Sequence, residues 1–209
     1  MRVLWLLNEL GVEFHVTPYA FDKSLRSPEF LSRSPAGRVP ALEMDGETYF
    51  ESGAIIEILC ERFPDRGLGR LAGDLDRPDW LVWLHFAETI TQHSAALTQQ
   101  HIALYDDAMR SPVVMKLEAA RLKKCYAAIE GRLSTPVENR DYLLTSGFSA
   151  ADIAVGQAVY QARFFAKLDD FPETAKWYER ITARPAFREA LPREGAGIYT
   201  QDFYPAWET

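Results

Sequence analysis

The stretch Ser34-Pro35-Ala36-Gly37-Arg38-Val39-Pro40-Ala41-Leu42, with Glu51-Ser52-Gly53-Ala54-Ile55 beginning nine residues after it, decides how this chain is read. Between them lies Glu43-Met44-Asp45-Gly46-Glu47-Thr48-Tyr49-Phe50, two short β-type runs joined by Asp-Gly. That dipeptide is a strong hairpin signal, because both central residues of a type I′ turn need positive φ. Pro40 then stands at the entry to a hairpin strand, where its missing N–H would break a central ladder. A cis Val39-Pro40 peptide is expected, with the Val39 backbone left facing outward to pair with an extended peptide ligand. Ser52 reads as the N-cap of an apolar helix carrying Ile55, Ile56 and Leu59, its free N–H groups aimed at an anion. The pattern implies a site that meets peptide backbone on one side and a carboxylate on the other.

Upstream, Val3, Leu4, Leu6, Leu7 and Leu10 form a helical stripe that Gly11 ends as a C-cap. Val12, Phe14 and Val16 alternate with Glu13 and His15, which predicts a strand. A loop containing Pro28 and Pro35 leads to the hairpin, giving the order α-β-β-β-α. Downstream, Phe63-Pro64-Asp65-Arg66-Gly67-Leu68-Gly69 is dense in breakers, and the residues from there to Arg77 read as a linker. After Pro78 the period is helical throughout. Trp80, Trp83, Leu84 and Ala87 open one long helix, and Met115, Ala119, Leu122, Tyr126, Ile129 and Leu133 mark a second. Further helices are expected from Ala150, Pro172 and Pro185, both prolines at first-turn positions. Phe148-Ser149-Ala150-Ala151-Asp152-Ile153 carries a complete capping box, Ser149 with Asp152, read as a folding element.

Composition narrows the class. The 209 residues are 47% hydrophobic and 25% charged, which fits a well-cored globular protein. A net charge of −7 argues against nucleic acid or an anionic membrane as partner. Cys60 and Cys125 sit in apolar helical patterns without metal-ligand spacing, as buried thiols in a reducing compartment do. His85, His93 and His101 recur every eight residues and drift around a helix instead of stacking as ligands, so no metal is expected. His15 reads as structural.

The order of motifs resembles the cytosolic glutathione transferase family, of bacterial type. The opening Arg2-Val3-Leu4-Trp5-Leu6-Leu7-Asn8-Glu9-Leu10-Gly11-Val12 is similar to that family's first helix, and the Ser149 box to the start of its long core helix. The resemblance implies an α+β thioredoxin-like domain over residues 1–64, a linker over 65–77 and an all-α domain over 78–209. It implies that the Val39 backbone, preceding Pro40, pairs with the cysteinyl moiety of glutathione, and that Ser52 and Glu51 hold the γ-glutamyl end. Arg38 is a candidate partner for the glycyl carboxylate. Trp80, Trp83, His85 and Tyr105 are candidates for lining an electrophile pocket. The family's first strand and the loop bearing its catalytic Tyr, Ser or Cys have no counterpart here, so the catalytic residue is unknown. A late start codon is the expected reason, with Met1 an internal methionine. Without that strand, Val12–Val16 is expected to pair elsewhere, or Ile198-Tyr199-Thr200 to fill the slot. The expected activity is attack of the glutathione thiolate on a small electrophile, with glutathione as co-substrate and no other cofactor, in a cytoplasmic homodimer. The alternative is a non-catalytic glutathione-binding or scaffold module.

Overall fold

The computed structural model describes residues 1–20, 22–136, 140–193 and 195–206. The first element, α1 (Arg2–Leu10), turns its apolar stripe inward, and Gly11 closes it in the left-handed conformation at φ 64°. Residues 12–20 follow without helix or strand, and no strand pairs with them among the described residues. The expected strand over Val12–Val16 is therefore absent. Alternation gives a strand only where a neighbour supplies the ladder, and here Phe14 and Val16 stay 40% and 46% exposed. The loop around Pro28 contains a six-residue helix not foreseen in the sequence, α2 (Pro28–Arg33), capped by Ser27 with Pro28 in its first turn.

The hairpin forms as expected. Strands β1 (Ala41–Met44) and β2 (Glu47–Phe50) pair antiparallel in the register Ala41 with Phe50 to Met44 with Glu47. Asp45 and Gly46 both adopt positive φ at its tip, 54° and 83°. Helix α3 (Ser52–Arg62) follows at once, and its Arg62 reaches back to the Asp45 carboxylate at 2.7 Å. Near its end Gly69 closes on Cys60, where an added Cβ would fall 2.5 Å from the Cys60 Cβ.

The remainder is helical: α4 (Arg77–Thr98), α5 (Pro112–Ser134), α6 (Ala150–Ala162), α7 (Pro172–Thr182) and α8 (Pro185–Glu189). Helix α6 is the buried centre, with α4 and α7 against it and α1 reaching it from the N-terminal half. Gly156 permits that approach, because a Cβ there would lie 2.5 Å from Ile181 and 3.1 Å from the Trp5 ring. One apolar core runs from Val3 through α4 and α6 to Tyr204. Ile198–Thr200 forms no strand. Tyr199 instead stacks on Phe164 at 4.4 Å and meets the Thr98 hydroxyl at 2.9 Å, so its aromatic surface is spent in the helical half. A thioredoxin-like α+β half with a small two-stranded sheet thus precedes an all-helical half. No described helix is long and apolar enough to cross a membrane.

Candidate functional site

The register of the hairpin builds the site. With Ala41 opposite Phe50, the chain that enters β1 through Val39-Pro40 and the chain that leaves β2 through Glu51 into α3 stand at the same end of the hairpin. The approach to β1 is fixed by a tight turn in which buried Ser34 donates its hydroxyl to the Arg38 carbonyl at 2.7 Å. Gly37 sits there at φ 62°, and a Cβ on it would press the Leu25 carbonyl at 3.0 Å. The Val39-Pro40 peptide is cis, and Val39 is 59% exposed. Among the described residues, the Val39 backbone N–H and C=O and the Arg38 guanidinium have no hydrogen-bond partner.

On the facing side the structure corrects one assignment. Ser52 is not the N-cap of α3; it is the first helical residue, and Glu51 takes the cap position at φ 69°, ψ 108° without a side-chain cap bond. A glutamate at positive φ is a backbone outlier, and such strain concentrates at ligand sites. The Glu51 carboxylate is exposed and forms no ion pair among the described residues. The first-turn N–H groups of α3 lack a side-chain acceptor, so an anion there would meet free donors and the positive end of the helix dipole. Unspent polar groups of Arg38 and Val39 thus lie on the chain entering the hairpin, and those of Glu51 and the start of α3 on the chain leaving it.

Behind them stands a residue that sequence reasoning passed over. Arg2, 6% exposed, sends its guanidinium between both halves of the molecule. Its Nε donates to Gln157 Oε1 on α6 at 3.1 Å and its Nη2 to Thr91 Oγ1 on α4 at 3.2 Å. Its Nη1 donates to Ser52 Oγ at 3.0 Å and is paired with Glu88. A signal was present: a cation in the first turn opposes the helix dipole, so its place at the head of α1 called for a reason.

The four residues expected to line an electrophile pocket are not gathered. Trp80 is 1% exposed and its indole donates to the Leu68 carbonyl at 3.2 Å, so it is core and offers no surface to a ligand. Tyr105 is 86% exposed beyond the end of α4. Trp83 is half-buried, edge-on to Phe86 at 5.4 Å. His85 lies 3.5 Å from Glu57 and so stands where α4 meets α3. A depression of about 510 Å³ lies elsewhere, at the end of α3 and the linker, lined by Cys60, Arg70, Leu75 and Asp76 among others. The Ser149 box is present: the Ser149 N–H donates to Asp152 Oδ2 at 2.9 Å, and Ser149 Oγ accepts from the helix. Among the described residues no cluster of side chains could hold a metal ion.

Residues 1–62 match the family model for the glutathione S-transferase N-terminal domain, and residues 103–185 match that for its C-terminal domain. A probable glutathione S-transferase of Oryza sativa subsp. japonica is 33% identical over 201 residues, 90% of this chain and 88% of the relative. The chain belongs to the glutathione S-transferase family. Glutathione S-transferase 1 of Saccharomyces cerevisiae is 28% identical over 97% of this chain and 93% of its own length. Among solved structures, a glutathione transferase of Phanerochaete chrysosporium in complex with oxidized glutathione superposes with a TM-score of 0.79 at 25% identity, covering 90% of this chain and 87% of that one. Glutathione transferase F7 of Populus trichocarpa gives 0.77 at 26% identity, covering 90% of each chain. Family membership thus rests on both halves of the molecule, joined in the order found here.

Proposed function

We propose that this transferase-family chain binds glutathione across the end of the hairpin and presents its thiolate to a small electrophile. The observation that supports the reading is the set of unspent polar groups on the two chain segments that flank the open end of the hairpin, Arg38 and Val39 before β1, Glu51 and the start of α3 after β2. The γ-glutamyl carboxylate takes the Ser52 hydroxyl and the first N–H groups of α3, and its ammonium takes Glu51. The cysteinyl backbone pairs with Val39 ahead of Pro40, and Arg38 meets the glycyl carboxylate. The thiol gives its proton to water, and the thiolate forms a C–S bond to the acceptor carbon. The displaced electron pair departs with the leaving group or, in an addition, is protonated on the neighbouring acceptor atom by water. Trp83 and His85, on α4 where it faces α3, border the acceptor. Residues 1–64 and 78–209 are read as the two domains, 65–77 as linker, and the working form as a cytoplasmic homodimer needing no cofactor beyond glutathione.

Calorimetric titration with glutathione tests this directly. Wild type binds saturably, and Ser52→Ala weakens the dissociation constant about tenfold or more, the worth of a charged hydrogen bond. A wild-type chain that takes up no glutathione overturns the reading. A conjugation assay with an aryl halide tests the transfer step.

A further inference from the structure

Arg2 is the one arginine or lysine that is buried among the described residues, and glutathione binding as drawn above does not use it. Its fork touches four partners on three other helices: Ser52 on α3, Glu88 and Thr91 on α4, and Gln157 on α6. We infer that Arg2 is a positioning residue of the glutathione site, which dedicates the Ser52 hydroxyl to donating toward the ligand carboxylate and ties that hydroxyl to the helical half.

A serine hydroxyl has one proton to give and two lone pairs to receive. Arg2 Nη1, 3.0 Å away, is a donor only, so it occupies a lone pair and leaves the proton unspent. No acceptor for that proton exists among the described residues. A cationic donor on the oxygen also polarises the O–H and strengthens the bond it makes outward. Had a carboxylate stood in place of Arg2, the serine would spend its proton inward and meet an anionic ligand with lone pairs.

The guanidinium is itself held. Gln157 and Thr91 take Nε and Nη2, while Glu88, exposed at its outer end, balances the charge. A lysine has one ammonium in place of the planar fork and cannot meet all four partners together. The geometry of α4 and α6 thereby reaches the carboxylate pocket through a single side chain. This inference rests on the glutathione reading, and the experiment separates the two.

The test is a double-mutant cycle read by glutathione calorimetry on the full chain. Arg2→Met weakens the dissociation constant about tenfold in wild type, and by less than about twofold in a Ser52→Ala background, since the side chain it acts through is gone. The KM for glutathione rises with it, while the KM for the electrophile stays within about twofold. Should Arg2→Met fail to fold, Thr91→Val removes the acceptor of Nη2, together with a local bond to the Ala87 carbonyl within α4, and gives about threefold weakening that likewise vanishes with Ser52→Ala. Full weakening that persists in the Ser52→Ala background overturns the inference, as does no weakening by either variant. If Ser52→Ala alone leaves binding unchanged, the glutathione assignment of Ser52 falls and the inference falls with it. If Ser52→Ala weakens binding but the cycle shows no coupling, the assignment stands and only the role of Arg2 is lost.

Discussion

The starts of α6 and α3 are both marked by a serine and a nearby carboxylate, and they are put to opposite uses. At α6, Ser149 and Asp152 are wholly buried, and the carboxylate accepts from the Ser149 N–H, the Leu143 N–H at 3.0 Å and the Trp177 indole at 2.9 Å. At α3, Glu51 is exposed on strained backbone and the Ser52 hydroxyl still has its proton to give. The first terminus is closed by the chain itself and stabilises the fold. The second is left open, and its free donors are available to a ligand. The same residue types thus serve stability where the core seals them and recognition where it does not.

The comparison breaks most sharply at Asp152. Asp152→Ala strands three buried N–H donors and is expected to cost about 3 kcal/mol or more of unfolding free energy, measured by urea denaturation. A loss below about 1 kcal/mol would mean that α6 is not closed in this way. Burial pushes the Asp152 carboxyl up to about 6 despite those hydrogen bonds. Between its unfolded value near 4 and that folded value the native state binds the extra proton, so this group's contribution is full below pH 4 and is lost as pH rises through 6. Wild type measured against Asp152→Asn should lose about 3 kcal/mol from pH 4 to pH 7, a dependence the asparagine lacks.

At the open terminus the signs reverse. Glu51→Gly relieves the positive φ and is expected to stabilise the fold by about 1 kcal/mol while weakening glutathione. Gains in both stability and affinity would show that the strain serves no ligand. The smallest effect belongs to Tyr105. Tyr105→Ala, at a site open to water, should stay within about 0.5 kcal/mol in stability and leave the electrophile KM unchanged.

The sequence made the helical half legible because its signals are local. Pro172, Pro185 and the Ser149 box announce helix starts, and the period from Met115 to Leu133 is long enough to be unambiguous. The hairpin was readable for the same reason, through Asp45-Gly46. What failed depended on neighbours. Val12–Val16 alternates like a strand but finds nothing to pair with, and α2 is too short to show a period. Ser52 looked like a cap because serine favours that position, and nothing local signals that Glu51 accepts a positive φ to displace it. Trp80 and Tyr105 share an aromatic spacing with Trp83, yet one turns into the core and one into solvent. The part played by Arg2 needs residues up to 155 positions away, which no window along the chain contains.

The close fit of Gly69 on Cys60 bears on self-protection. The electrophile of the proposed reaction would also meet the chain's own nucleophiles, and the two cysteines are the softest of them. Burial pushes the Cys60 thiol up to about 12, and that of buried Cys125 also rises. Neither ionises appreciably at neutral pH, and thiolate is the form that alkylating agents consume. Under the proposed function the sulfur chemistry is thereby left to the diffusible tripeptide, which is replaced at each turnover, while the chain's own thiols are spared.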